Sequence, residues 1–380
     1  MKIGIITIVK VGNYGAELQA YATQAFLKKL GFEAEIIDYL YYKNPDFIWE
    51  PTSRASFKLP WVHRLKERLF PLVTKFADIR YSQERKKRNQ KFALFHNINT
   101  SFSSTFHNFH ELKKSTPIYD VYLTGSDQVW NPWNNTSLEP YLLTFAPDEA
   151  KRIAFASSFG VEKIPEFAYP FYKSRLAKYD VIGVREKNAV ALVKEITGTD
   201  AELVLDPTLM LSHQHWQSIC SATDISIESG FVLIYELTPC AYIKHIATAW
   251  ARQLKRPLVR ICKDTVAIEK DGSILNITDA GPAEFLWLFD NASAIVTNSF
   301  HGSAFAINFN KPFYTIIPAR KQNNSRQISL LSLFGLSDRL LLEGAELPDF
   351  SEIDFTLPNS ILDRERLSST HFLTTALYEN

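Results

Sequence analysis

The run Asn291-Ala-Ser-Ala-Ile-Val-Thr-Asn-Ser-Phe-His-Gly-Ser-Ala-Phe-Ala-Ile-Asn-Phe309 limits the possible folds of this chain more than any other stretch. Ala294 to Thr297 is short and continuously buried in character, Asn298 to Gly302 is polar and holds a glycine, and Ser303 to Phe309 turns apolar again. The pattern predicts a strand, a polar turn and the opening of a helix, with Lys311 to Ile316 as the next strand. A strand that feeds a helix belongs to a parallel sheet. Its turn lies at the carboxyl edge, where open α/β folds bind ligands and helix N–H groups favour anions. His301, beside Ser299, Gly302 and Ser303, is therefore a candidate acid and phosphate contact, although a histidine in a turn also serves as a plain capped or exposed side chain.

The same alternation runs through the rest of the chain. Lys2 to Val9 reads as a strand that enters a loop bracketed by Gly12 and Gly15, followed by a helix ending near Leu30-Gly31 and a second strand from Glu33 to Asp38. This loop lacks the three-glycine dinucleotide pattern, so no nicotinamide cofactor is expected. Val121 to Thr124 delivers Gly125-Ser126-Asp127-Gln128 to the same edge, near Trp130 and Trp133, whose flat rings suit the faces of sugars. Arg152 to Ser157 is another strand, Pro165 to Tyr179 a helix, and Tyr179 to Val184 the strand that carries Arg185 and Glu186 out of the sheet.

A second series begins with a helix from Asn188 to Thr197 and a strand from Glu202 to Leu205 that ends in Asp206-Pro207-Thr208. Strands at Phe231 to Glu236 and Pro257 to Ile261, and helices at Tyr242 to Leu254 and Pro282 to Phe289, lead into the central stretch. At 380 residues and 46% hydrophobic content, two cores are expected. The expected division is an N-terminal α/β domain over 1–183, a C-terminal one over 184–358, and a closing helix over 359–380 that packs back on the first. The architecture is then two Rossmann-like domains facing a central cleft.

Charge and cysteine usage narrow the function. Lys plus Arg, 42, nearly cancels Asp plus Glu, 41, so nothing in the overall charge calls for a nucleic-acid partner. The three cysteines, Cys220, Cys240 and Cys262, are too far apart for a metal motif and are expected as reduced core residues. The first apolar run is too short for a signal peptide, and no stretch approaches the ~20 apolar residues of a membrane span, which points to a cytoplasmic protein without a bound metal. Residues of about 43–117 read as a helical insertion. Within it, Trp61 to Phe95 concentrates basic and aromatic residues, either a solvated helical face or a weak attachment to an anionic membrane.

Five segments in order, Asn13-Tyr14-Gly15-Ala16-Glu17-Leu18-Gln19, Gly125-Ser126-Asp127-Gln128-Val129-Trp130, Val184-Arg185-Glu186, Leu205-Asp206-Pro207-Thr208 and Ser299-Phe300-His301-Gly302, resemble the polysaccharide pyruvyl transferase family over nearly the whole chain. The resemblance implies an architecture similar to the glycosyltransferase B fold. It also implies transfer of a pyruvyl group from phosphoenolpyruvate, as co-substrate, to two hydroxyls of a sugar or lipid-linked oligosaccharide. On that chemistry Arg185, Ser299, His301, Gly302, Ser303 and Arg326 are expected on the donor side. Asn13, Tyr14, Gln19, Asp127, Gln128 and Trp130 are expected on the acceptor side, with His301, Asp127 and Arg185 catalytic. One departure stands out: many members carry Arg where this chain has Ser299, so Arg320, Lys321 or Arg326 is needed to replace it. A nucleotide-sugar glycosyltransferase and a non-catalytic sugar-binding protein are the alternative readings; the acceptor sugar, ketal stereochemistry and oligomeric state are not legible.

Overall fold

The structure, a computed structural model, describes residues 1–58, 82–220, 225–262, 272–319 and 324–378. Trp61 and most of the basic, aromatic run before residue 82, together with Arg320 and Lys321, lie outside the described residues. The described chain forms two compact units. One takes the N-terminal part through residue 58, His96–Met210 and the chain from Arg364 onward; the other takes residues 82–95 and Leu211–Asp363.

The first unit is built on a seven-stranded sheet of β1 (Lys2–Ile6), β2 (Glu33–Tyr39), β3 (Phe102–Phe106), β4 (Val121–Thr124), β5 (Lys151–Ser157), β6 (Val181–Val184) and β7 (Glu202–Leu203). Its order is β3-β2-β1-β4-β5-β6-β7, and every adjacent pair is parallel. Central strands such as β4, Val-Tyr-Leu-Thr, are buried along their whole length, as strands covered on both faces must be. The chain starts in the middle at β1, winds out to β3, and returns to β4. The loops that leave β1 and β4 therefore diverge, and the crevice they open is the usual ligand site of such a sheet.

The second unit repeats the plan with β8 (Phe231–Tyr235), β9 (Leu258–Ile261), β10 (Leu275–Ile277), β11 (Ala292–Thr297), β12 (Phe313–Ile317) and β13 (Leu340–Leu342), in the order β10-β9-β8-β11-β12-β13. Here too all pairs are parallel, and the winding reverses between β8 and β11. The helix Ala241–Leu254 buries Tyr242, Ile243, Ile246, Ala247, Trp250 and Ala251, a stripe at helical spacing that seats Trp250 against Tyr314 and Phe350.

Two expected boundaries are corrected. The division does not fall at 183/184, because β7 hydrogen-bonds to β6 through Gly183↔Glu202 and Val184↔Leu203 and so extends the first sheet; the second unit begins at Leu211. Nor is the stretch of about 43–117 a purely helical insertion, since it contains β3, which pairs in parallel with β2. In its described part the helix Ser82–Asn99 buries Phe92 and Phe95 and exposes Lys86 and Lys87. The last helix, Thr356–Tyr378, joins the first unit from Arg364 onward. There Leu205 N–H donates to Ser369 Oγ at 2.9 Å, Arg366 Nε donates to the Leu209 carbonyl at 2.7 Å, and Phe372 stacks on Phe155.

All three cysteines are buried free thiols. Burial pushes the thiols of Cys220 and Cys262 up to about 11 and raises that of Cys240 as well. At pH 8 the first two sit far below their pKa, so only on the order of one molecule in a thousand carries the reactive thiolate at either position. An aromatic disulfide reagent at pH 8 should therefore label native protein slowly and denatured protein at once; rapid labelling of a thiol in the folded chain would contradict this packing.

Candidate functional site

In the first unit the loops after β1 and β4 are fastened by buried polar side chains. Gln19, fully buried in the helix Tyr14–Lys29, donates through Nε2 to Thr7 Oγ1 and to the Ile8 and Ala16 carbonyls, and its Oε1 accepts the Ser126 N–H at 3.0 Å. Glu17 accepts the N–H groups of Lys10, Val11 and Gly12 at 2.7 to 2.9 Å and meets His96 Nε2 at 2.9 Å. Asn13 caps the helix by accepting from Gly15 and Ala16 N–H. The first loop thus owes its shape to Asn13, Glu17 and Gln19.

Beyond β4 the centre of the site is Arg185, whose side chain is wholly buried after β6. Its Nη1 donates to Asp206 Oδ2 at 2.6 Å and to Ser126 Oγ at 3.3 Å, its Nη2 donates to Asp127 Oδ1 at 2.9 Å, and Glu186 Oε2 lies 3.9 Å from Nε. The carboxylates are held in turn: Asp206 Oδ1 accepts from Thr208 N–H and Oγ1, and Glu186 Oε1 accepts from Ser158 Oγ at 2.7 Å. Burial opposes the guanidinium charge, but Asp206, Asp127 and Glu186 outweigh it and hold Arg185 above its ordinary pKa. Asp127 keeps 14% of its side chain exposed, the most open group of the cluster.

The second unit carries a polar turn at the reversal between β8 and β11. The helix Phe300–Asn308 begins three residues earlier than the sequence pattern suggests, because Ser299 is its cap, its Oγ accepting the Gly302 N–H at 3.2 Å. His301 consequently sits in the first helical turn, 7% exposed, with its ring edge-on to Phe300. Asn298 fastens the neighbouring loop, accepting from Leu237 N–H and donating to the Thr238 carbonyl, both at 2.7 Å. Arg326, in the helix Ser325–Leu333, places its guanidinium 5.9 Å from the Phe300 ring centroid.

Several expected roles change with this geometry. Trp130 is no sugar platform: it is completely buried, donates to the Tyr141 carbonyl at 3.1 Å and packs on Phe159 and Tyr179. Tyr14 and Gln19 are likewise buried and Asn13 is spent on the helix cap, so these three shape the loop; Gln128 remains half exposed. Arg185 is surrounded by its own carboxylates, which removes it as a contact for a donor anion. Gly302 is required by packing, since a Cβ there would lie 2.4 Å from Thr297 Oγ1, and Ser303 Oγ is engaged by the Ser299 carbonyl and Thr315 Oγ1. Sequence reasoning quoted Asp206, Glu186 and Glu17 without assigning them work. A carboxylate directly after a short strand and before proline was the available signal for Asp206, and an acid in a helix's first turn after a glycine loop the signal for Glu17.

Two parallel-sheet α/β units with polar clusters at their winding reversals place the chain in the class of open α/β proteins, which bind their ligands at strand ends. Within it, the model of the polysaccharide pyruvyl transferase family matches residues 13–319, and the chain belongs to that family. No match is found among curated proteins. Among solved structures, the chain is similar to the UDP-GlcNAc 2-epimerase of Neisseria meningitidis bound to UDP-GlcNAc, at 9% identity and a TM-score of 0.49 over 100% of both chains. It is also similar to the UDP-GlcNAc 2-epimerase of Methanocaldococcus jannaschii, at 13% identity and 0.46 over 98% of this chain and 92% of that one. The ADP-heptose lps heptosyltransferase II of E. coli is similar at 14% identity and 0.35 over 97% and 100%.

Removing the cation from a buried cluster leaves its carboxylates unpaired, at a cost of about 3–5 kcal/mol. Arg185→Ala should therefore lower the unfolding free energy by about that much, and Arg185→Lys, which keeps charge but loses the fork, by less. Denaturant titration checks this; an Arg185→Ala variant as stable as the parent would show that the cluster is not a structural tie.

Proposed function

We propose that this chain transfers the pyruvyl group of phosphoenolpyruvate onto two hydroxyls of a sugar in a surface polysaccharide or its lipid-linked precursor, closing a cyclic ketal and releasing phosphate. The observation that carries the reading is the placement of His301 in a capped first helical turn at a winding reversal, within a chain of this family. Donor chemistry is assigned to the second unit and acceptor chemistry to the first. His301 gives a proton to the methylene carbon, which becomes the methyl group and leaves the central carbon electrophilic. One sugar hydroxyl adds to that carbon, the second displaces phosphate with cleavage of the C–O bond, and the two hydroxyl protons leave, one with the phosphate and one restoring the acid. Asp127, oriented through Oδ1 by Arg185, is the base proposed for the sugar hydroxyl. The helix N-terminus and Arg326 are proposed to meet the donor's phosphate and carboxylate in place of the arginine absent at Ser299.

Mass spectrometry of nitrophenyl and lipid-linked sugars incubated with phosphoenolpyruvate should find the ketal adduct together with inorganic phosphate. Release of a nucleoside diphosphate from a nucleotide sugar, with no phosphoenolpyruvate-dependent phosphate, would favour a glycosyltransferase instead. His301→Ala should lower turnover by about 10² or more while the fold persists. Near-normal turnover would exclude it as the acid.

Peripheral attachment at the cytoplasmic face of a membrane through residues 61–95 belongs to the same proposal, supported by exposed Lys86 and Lys87. No helix among the described residues is long and apolar enough to cross a membrane. Basic residues near an anionic leaflet contribute about 1 kcal/mol each, so attachment should be weak and salt-sensitive. Co-sedimentation with acidic liposomes should fall for Lys86→Glu with Lys87→Glu. Binding that ignores both lipid charge and these changes would discard the attachment.

A further inference from the structure

The first unit also carries a concave surface whose lining includes neither Asp127 nor Arg185. It is a cavity of about 500 Å³ lined by the segment Thr52 to Ser56, by Phe109 and Lys113 of the helix Phe109–Lys114, by Ser137, Glu139 and Thr144, and by Phe171 and Arg175 of the helix Tyr169–Leu176. That volume falls within the ~300–1,000 Å³ typical of small-molecule sites.

Three features give it a chemical preference. Cations outnumber acids, with Arg54, Lys113 and Arg175 against Glu139 alone. Glu139 is already clamped by Arg175, whose Nε donates to both carboxylate oxygens at 3.1 Å, so Arg54 and Lys113 are the charges left to meet an anion. Hydroxyls supply the second feature: Thr52, Ser56, Ser137 and Thr144 all line the cavity. Ser56 Oγ accepts the Leu138 N–H and Ser137 Oγ accepts the Glu139 N–H, and each retains a hydroxyl proton to donate. Aromatic surface is the third. Half-buried Phe171 lines the wall, stiffened by the Arg175 guanidinium 3.8 Å from its ring centroid and by Phe57 at 5.0 Å, whereas Phe109, 7% exposed, belongs to the core.

The floor is also preformed. The hydrogen bonds to Ser56 and Ser137, the bridge between Arg54 and Thr136, and the Ser137 N–H to Ser53 carbonyl bond at 3.2 Å fix the loop 136–139 against the segment 52–56. A ligand would pay little ordering entropy at such a surface. An inorganic anion alone would leave the hydroxyls and the Phe171 ring unused, and a neutral sugar would leave Arg54 and Lys113 unused.

We propose that this cavity is a binding site for an acidic oligosaccharide, its carboxylate directed to Arg54 and Lys113 and a ring face to Phe171. The role that follows, holding the already pyruvylated and therefore anionic part of a glycan, rests on the pyruvyl transfer proposed above; the binding itself does not.

Isothermal titration of the full chain with a hyaluronan tetrasaccharide, a chitin tetrasaccharide and inorganic phosphate tests the site without any turnover. The acidic tetrasaccharide should bind saturably and more weakly as salt rises, with the neutral one and phosphate at least tenfold weaker. Arg54→Glu combined with Lys113→Glu, two exposed positions, should weaken the acidic ligand at least tenfold while the melting temperature stays at the parent value. Equal binding by parent and variant, no binding by either, or equal affinity for an oligonucleotide of the same charge would each overturn the proposal. Pyruvyl transfer by an Arg54→Glu, Lys113→Glu variant that has lost this binding would leave the function proposed for the chain intact and separate the two conclusions.

Discussion

A fully buried guanidinium is the constraint on which the first unit depends. Arg185 loses its water and regains it as hydrogen bonds to Asp206 and Asp127 at 2.6 and 2.9 Å, with Glu186 close by. The three groups it engages come from the ends of β4, β6 and β7, where parallel strands run out into loops that no ladder fixes. Ser126 adds a second tie, since its N–H goes to Gln19 of the first helix and its Oγ reaches Asp206. Loops from β1, β4, β6 and β7 are in this way held by one connected polar network. Such a network is rigid when complete and costly when broken, and it holds the Asp127 carboxylate in a fixed place.

What the sequence made legible follows burial. β1, β4, β8 and β11 are continuous apolar runs bounded by glycine or polar turns, and a strand buried on both faces leaves no other pattern. β3, Phe-Ser-Ser-Thr-Phe, is an edge strand with two of its five residues exposed, and it carries too little periodicity to be seen. β7 was expected within Glu202 to Leu205 but was counted with the second series, and its pairing with β6 is what moves the domain boundary. Trp130 misled for a different reason: residue type suggests sugar stacking, but only tertiary packing decides whether a ring faces a ligand or the core. The strand-turn-helix frame around His301 was legible because it is local in sequence. Asp206 was not, because its partner Arg185 stands 21 residues earlier on another strand end.

In the second unit the end of β11 is fixed by neutral hydrogen bonds. Thr297, Asn298, Ser299 and Ser303 tie the end of β11 to β8 and to the helix that follows. Gly302 lets that helix sit directly on Thr297, so the turn cannot be remodelled without moving the sheet. This rigidity places the His301 backbone; its ring is held from one side by Phe300.

Magnitudes decide how far Ser299 can stand in for an arginine. A helix N-terminus contributes about 0.3–1 kcal/mol toward an anion, whereas a charge-assisted hydrogen bond contributes about 1.5–3 kcal/mol and a guanidinium can make two. The Ser299 cap also occupies the Gly302 N–H, one of the donors the helix end would otherwise offer. At the proposed donor site, a doubly charged ligand needs a cation from another element as well. Arg185 cannot serve, being enclosed by three carboxylates. Among the described residues of the polar segment that follows β12, Arg326 is the cation that reaches the Phe300–His301 turn, through the Phe300 ring. On the proposed reading, a serine at position 299 makes anion binding at this turn depend on a side chain from a different helix, and on the angle at which that helix meets the first turn of Phe300–Asn308.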